Sequence, residues 1–92
     1  MTLTSGRYIG YEQDRGIVQF LMQDGAKEIP CAISTSAMDD LERGPKARPE
    51  HREAQFTRLR DRIEACAASK YRACEFEGTP PGIVLRSIDF RG

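Results

Sequence analysis

The chain has 92 residues, of which 30% are charged, with 14 Lys/Arg against 14 Asp/Glu and zero formal net charge. That length makes one domain, 1–92, which buries roughly 60–70% of its unfolded surface in a single core without staples. Balanced charge argues against a chain that binds polyanions with its whole surface, and it leaves little to oppose self-association.

In chain order, Arg7 to Tyr11 is a short strand candidate, with Tyr8 and Ile9 as β-formers. Gly16 to Gln23 is a stronger one, placing Val18, Phe20 and Met22 on one face and Ile17 and Leu21 on the other. Asp24-Gly25 then gives a hairpin signal of the type I′ kind. Glu28 to Ile33 alternates, with Ile29, Cys31 and Ile33 to one side, and Pro30 marks an edge or a bulge. Ser34, Thr35 and Ser36 offer N-caps, and Ser36 with Asp39 fits a capping-box spacing. The spacing predicts a short helix over Ala37 to Arg43, stopped by Gly44. Residues 44–49 form an inter-helix connector.

From Pro49 to Cys74 the apolar residues Phe56, Leu59, Ile63, Cys66, Ala67, Tyr71 and Cys74 occupy one arc of roughly 140° at about 100° per residue. This is a long amphipathic helix with Pro49 in its first turn. Lys70 and Arg60 fall inside the apolar arc. Their stems can lie on apolar surface with the charge kept wet, and Glu64 is placed at i,i+4 to pair with Arg60. Residues 75–82, with Gly78-Thr79-Pro80-Pro81-Gly82, must be a loop. Ile83-Val84-Leu85 is a last strand.

The β-β-β-α-α-β order implies an α+β fold: a small antiparallel sheet with one short and one long helix packed on one face. The opposite face carries Ile17, Leu21 and Tyr8. A second subunit covering that face would keep them dry, so a homodimer is expected, with Ile17 and Leu21 as the self-association surface.

Several stretches together carry a family resemblance. They are Gly16-Ile-Val-Gln-Phe-Leu-Met-Gln-Asp-Gly25, Ile33-Ser-Thr-Ser-Ala-Met-Asp-Asp-Leu41, Phe56 through Arg62-Ile63-Glu64 to Lys70-Tyr71, and Val84-Leu85 with Asp89-Phe90. In order and distance they resemble the short bacterial proteins grouped as domain of unknown function 1488. The resemblance spans about Tyr8 to Phe90. It implies an α+β fold and a cytoplasmic setting. It supplies no activity and no site residue.

The chemistry-bearing residues are few. Cys31, Cys66, Cys74 and His51 could ligate zinc only if they converged within about 2.0–2.3 Å of one point. Cys66 and Cys74 lie roughly 12 Å apart by helical rise, which excludes a shared ion or a disulfide between them. Three cysteines without paired spacing read as reduced, mostly buried thiols. His51 sits in a helix first turn, where its cation is disfavoured. Asp39-Asp40 read as first-turn acids favoured by the dipole. Neither an enzyme nor a cofactor is expected.

Residues 45–74 carry eight Lys/Arg and four Asp/Glu. Arg58, Arg62 and Arg72 face outward as candidate nucleic-acid contacts, and Lys46, Arg48 and Arg52 cluster near the helix start. No aromatic residue interleaves with them, as a single-strand platform would need. The expected function is a protein-interaction module that binds itself or another protein. The alternative is a weak nucleic-acid binder or regulatory accessory. No signal peptide and no membrane span are expected, since there is no basic-then-apolar start and no apolar run near 18 residues.

Overall fold

The computed structural model describes residues 3–78 and 81–90. Four strands, β1 (Thr4–Glu12), β2 (Ile17–Asp24), β3 (Lys27–Ser34) and β4 (Ile83–Leu85), form one sheet in the order β1-β2-β3-β4. Two helices, α1 (Thr35–Glu42) and α2 (Arg52–Arg72), lie between β3 and β4 in the chain. A 3₁₀ turn, Pro49–His51, leads into α2, and another, Ser87–Phe90, follows β4. The expected α+β architecture and element order are both present.

β1, β2 and β3 pair antiparallel, but β4 runs parallel to β3, with Cys31 opposite Ile83 and Ile33 opposite Leu85. The sheet is therefore mixed rather than antiparallel throughout. The cause is the long connection: the helices carry the chain back along the sheet, so the returning strand starts from the same end as β3.

The β2–β3 hairpin closes on Gly25-Ala26, with Asp24 opposite Lys27. Gly25 has φ +62° and Ala26 has no positive φ. Glycine alone at the first central position is the type II′ pattern, not the type I′ turn expected around Asp24-Gly25. β1 is longer than its sequence suggests, because register shifts between Ser5 and Tyr8 and between Tyr8 and Gly10 let it follow β2. At Gly6 a Cβ would collide with the Leu21 carbonyl, so only glycine permits the close approach there.

α1 begins two residues before its expected start. Ser34, not Ser36, is the N-cap, and its Oγ accepts from the Ala37 N–H at 3.1 Å. Arg43 ends the helix in the left-handed region at φ 52°, taking the stopping role expected of Gly44. The connector is followed by Pro49, which belongs to the 3₁₀ turn. In the 75–82 loop, Glu77 and Gly82 exchange two backbone hydrogen bonds at 2.8 Å. Its Thr79 and Pro80 lie outside the described residues.

The core fills the space between the sheet and the helices. Val18, Phe20, Met22, Ile29, Cys31, Ile33, Ile83 and Leu85 meet Phe56, Leu59, Ile63 and Ala67 of α2, with Ala37 and Met38 of α1. Phe56 is the hub, its ring 5.0 Å from Phe20 and 5.5 Å from Tyr8 between centroids. Tyr8 thus belongs to the covered face, not to the open face where alternation placed it. The register shifts in β1 break the simple period of two.

Candidate functional site

Three cations of α2 point into the helix–sheet layer, and each holds a different element. Arg52 is 1% exposed. Its Nη1 donates to Asp39 Oδ1 at 2.8 Å and to Gln55 Oε1 at 2.6 Å, tying α2 to α1. The Tyr11 ring lies 5.7 Å from its guanidinium carbon. Its Nε finds no partner among the described residues. Arg60 donates to Glu64 at 2.9 Å and to the Gly6 carbonyl at 2.8 Å, pinning edge strand β1. Ser5 also donates to Glu64, at 2.8 Å. Lys70 donates to the Val84 carbonyl at 2.7 Å and to Asp89 at 3.3 Å, pinning edge strand β4 and the turn after it.

The Arg60–Glu64 pair is the one expected from spacing. Arg52 is the residue that sequence reasoning misplaced, since it was grouped with the exposed basic residues. Its angular position falls inside the apolar arc, between those of Leu59 and Ile63, at about 100° per residue. That arithmetic was the available signal. Asp39 is likewise no first-turn acid: it sits mid-helix and accepts from Arg52, from Gln55 at 3.0 Å and from the Ala47 N–H at 3.3 Å. Partial burial pushes its carboxyl up, but these donors outweigh that and hold it below the usual range.

The expected nucleic-acid contacts do not form one group. Arg58 is committed to Glu42, through Nε at 2.8 Å and Nη2 at 3.1 Å. Arg62 is exposed and lines a polar depression with Asp40, Arg43 and Ser87. Arg72 is exposed at the far end of α2, about 15 Å along the axis from Arg62.

The other face of the sheet has no helix on it. Ile17 and Leu21 lie there half-buried, as expected, beside Ala32 of β3 and Val84 of β4. Ile9 on β1 is 48% exposed and Ile88, just past β4, is 71% exposed. Two adjoining depressions of about 730 and 410 Å³ run over this face, sharing Arg15, Ile17, Ala32, Glu77 and Val84. Its rim carries both signs of charge: Arg15 pairs with Glu12 at 3.2 Å, and Arg86 forks onto Glu77 at 2.7 and 2.9 Å. The surface is shallow and largely apolar, interrupted by Gln19 between Ile17 and Leu21, with a charged border. Such a surface suits docking and offers no enclosed chamber for a small substrate.

The cysteines do not cluster. Cys31 is buried, Cys66 is half-buried and Cys74 is exposed. Cys74 falls on the apolar arc in projection, but α2 ends at Arg72 and Cys74 turns out at φ 58°. Burial pushes the Cys31 thiol up to about 12, which removes it as a thiolate nucleophile at neutral pH. Among the described residues no three His, Cys, Asp or Glu side chains gather where they could hold a metal ion. No helix among them is long and apolar enough to cross a membrane.

Comparisons with known proteins agree on the fold. The family model described as "protein of unknown function (DUF1488)" matches residues 5–81. A crystal structure of a protein of unknown function from that family, from Shewanella loihica PV-4, is similar with a TM-score of 0.77 at 17% sequence identity. The match covers 92% of this chain and 93% of that one. At that identity it speaks for the architecture alone. No curated protein matches the chain significantly.

Proposed function

The chain belongs to the DUF1488 family, a family of unknown function, and we propose that it is a non-catalytic interaction module whose open sheet face docks a second copy of itself. The observation that carries this reading is the apolar set Ile9, Ile17, Leu21, Ala32 and Val84, around the polar Gln19, on a face that no helix among the described residues covers. Side chains of this kind on an uncovered sheet gain free energy when a second surface removes them from water, at about 25 cal/mol per Å².

A second copy is the favoured occupant for two reasons. The rim cations Arg15 and Arg86 are each paired within the chain, to Glu12 and Glu77, so the border of the face carries no excess of either sign. The whole chain has zero formal net charge, so two copies do not repel at long range. The molecule's two longer dimensions are 36 and 27 Å. A standard interface of roughly 800 Å² per partner fits within a face of that scale. The unbridged edge of β1 is a poorer docking element, because its register shifts disrupt the ladder a partner strand would have to follow.

Sedimentation equilibrium or light scattering after size exclusion tests this directly. The expected mass at tens of micromolar is twice the 10.4 kDa of the chain, and Ile17→Asp returns it to one copy. A wild-type chain that stays at one copy into the high micromolar range refutes the reading.

A further inference from the structure

We infer that the protein has a second binding surface, a basic track along the α1–α2 junction that holds the phosphodiester backbone of a nucleic acid. It lies on the helical layer and is independent of the open sheet face. His51 and Arg58 stand seven residues apart on one side of the 3₁₀ turn and α2, with Ala54 between them. They line one wall of a depression of about 780 Å³. Lys46 and Arg48 of the connector line the other wall. One carboxylate reaches this depression, that of Glu42, and it is already occupied by Arg58 and by Gln55 at 3.2 Å. One turn further on, Arg62 and Arg43 continue the track into a neighbouring depression of about 420 Å³. The acid there, Asp40, accepts from Ser87 Oγ at 2.7 Å.

None of the ion pairs among the described residues involves Arg43, Lys46, Arg48 or Arg62. Cations in this chain that serve the fold are paired and pulled inward, as Arg52, Arg60 and Lys70 are. Arg7, Lys27 and Arg72 are likewise exposed and outside those pairs, but only these four line the two depressions at the α1–α2 junction. From His51 to Arg62 the track runs about 16 Å along the axis, the length of roughly five nucleotides at ~3.4 Å each.

The choice of nucleic acid over an acidic protein rests on what the track lacks. The exposed large apolar residues among those described are Ile9, Phe76 and Ile88, and none of them lines it. Protein partners draw most of their affinity from buried apolar and aromatic anchors. A phosphate chain needs none, because release of its counterions drives the association. One aromatic ring borders the track, the half-buried Phe90 in the wall of the second depression, and a single ring is no stacking platform, so the contact is to the backbone and sequence is not read. Of the basic residues picked from sequence, Arg58, Arg62, Lys46 and Arg48 line the track, Arg72 is off it and Arg52 is buried, while Arg43 is added.

Fluorescence anisotropy of a labelled 20-nucleotide single strand and of a 20-base-pair duplex tests the assignment, at 50 and at 200 mM salt. The expected result is binding at 50 mM that falls at least tenfold by 200 mM, with little preference between two unrelated sequences. Lys46→Gln with Arg48→Gln should weaken it at least fivefold, and Arg62→Gln should add to the loss. Arg7→Gln with Lys27→Gln removes the same charge elsewhere and should change it less than twofold. Circular dichroism melting of each variant checks that it is folded. Should the Lys46/Arg48 variant melt early, the Arg62→Gln variant alone carries the test, with a loss of at least twofold expected. Absence of binding at 50 mM salt overturns the proposal. So does equal weakening by the Arg7/Lys27 variant, or competition by poly-glutamate as effective as that by unlabelled oligonucleotide.

Discussion

On the covered face of the sheet Val18, Phe20 and Ile33 are 0–1% exposed, whereas one position along the same strands Ile17, Leu21 and Ala32 keep contact with solvent. Both sets are apolar. What separates them is whether α2 lies above them. The covered face converts side-chain identity into stability, because packing there is close and any lost methylene leaves a void. The open face converts the same identities into a surface that costs free energy until something covers it. The even positions of β2 therefore serve the fold, and its odd positions Ile17 and Leu21 are the ones through which the proposed association would act. A substitution should betray which role it touches by which measurement moves.

The largest effect is expected on the covered face. Phe56→Ala removes the ring that Tyr8 and Phe20 pack on and should cost about 3–5 kcal/mol, read as a large fall in thermal midpoint. Next comes the polar clamp at the edge of that layer. Asp39→Ala strands the buried Arg52 guanidinium and should cost at or below about 3 kcal/mol, since Asp39 itself is partly wet. Its pH dependence has a definite sign. The Asp39 carboxyl is held below its ordinary range in the folded protein, so the unfolded chain takes up its proton first. The stability it contributes is complete above about pH 4 and drains away as pH falls through the lower folded value. Denaturant titrations of wild type and Asp39→Asn between pH 2 and 7 should converge at the acid end. Curves that stay parallel would break the clamp.

The open face should behave in the opposite manner. Ile17→Asp should change the stability of the single chain by about 1 kcal/mol or less. It should raise the self-dissociation constant at least tenfold, measured by sedimentation. A large fall in melting temperature of the monomer, with association unchanged, would erase the contrast between the two faces. The smallest effect is a ranking of thiols. Cys74 should react with a disulfide reagent in the native state, Cys66 more slowly, and Cys31 only as fast as the protein unfolds. Fast native reaction at Cys31 would show that the covered face opens.

Much of this architecture was legible because its determinants are local. Alternation in Ile17 to Gln23 and in Glu28 to Ile33 gave both strands and their faces. The 3.6-residue period from Phe56 to Tyr71 gave α2 and its buried side, and Pro49 marked where the helical segment begins. Ile17 and Leu21 were placed on the open face by the same period of two. Tyr8 was placed there too and lies on the covered face instead, because the register shifts of β1 depend on how its backbone meets β2. Cys74 was placed inward by a period that no longer holds once the helix has ended.

The amino-acid order thus determined the elements and their solvent preferences, since these depend on neighbours within a few residues. The fold alone decided the parallel return of β4 and the pairing of Arg52 with Asp39, thirteen residues away. It alone decided which elements the inward cations clamp: Arg52 holds α1, Arg60 holds β1 and Lys70 holds β4. Those outcomes depend on distances between segments far apart in the chain. Such distances exist only after the helices have settled on the sheet.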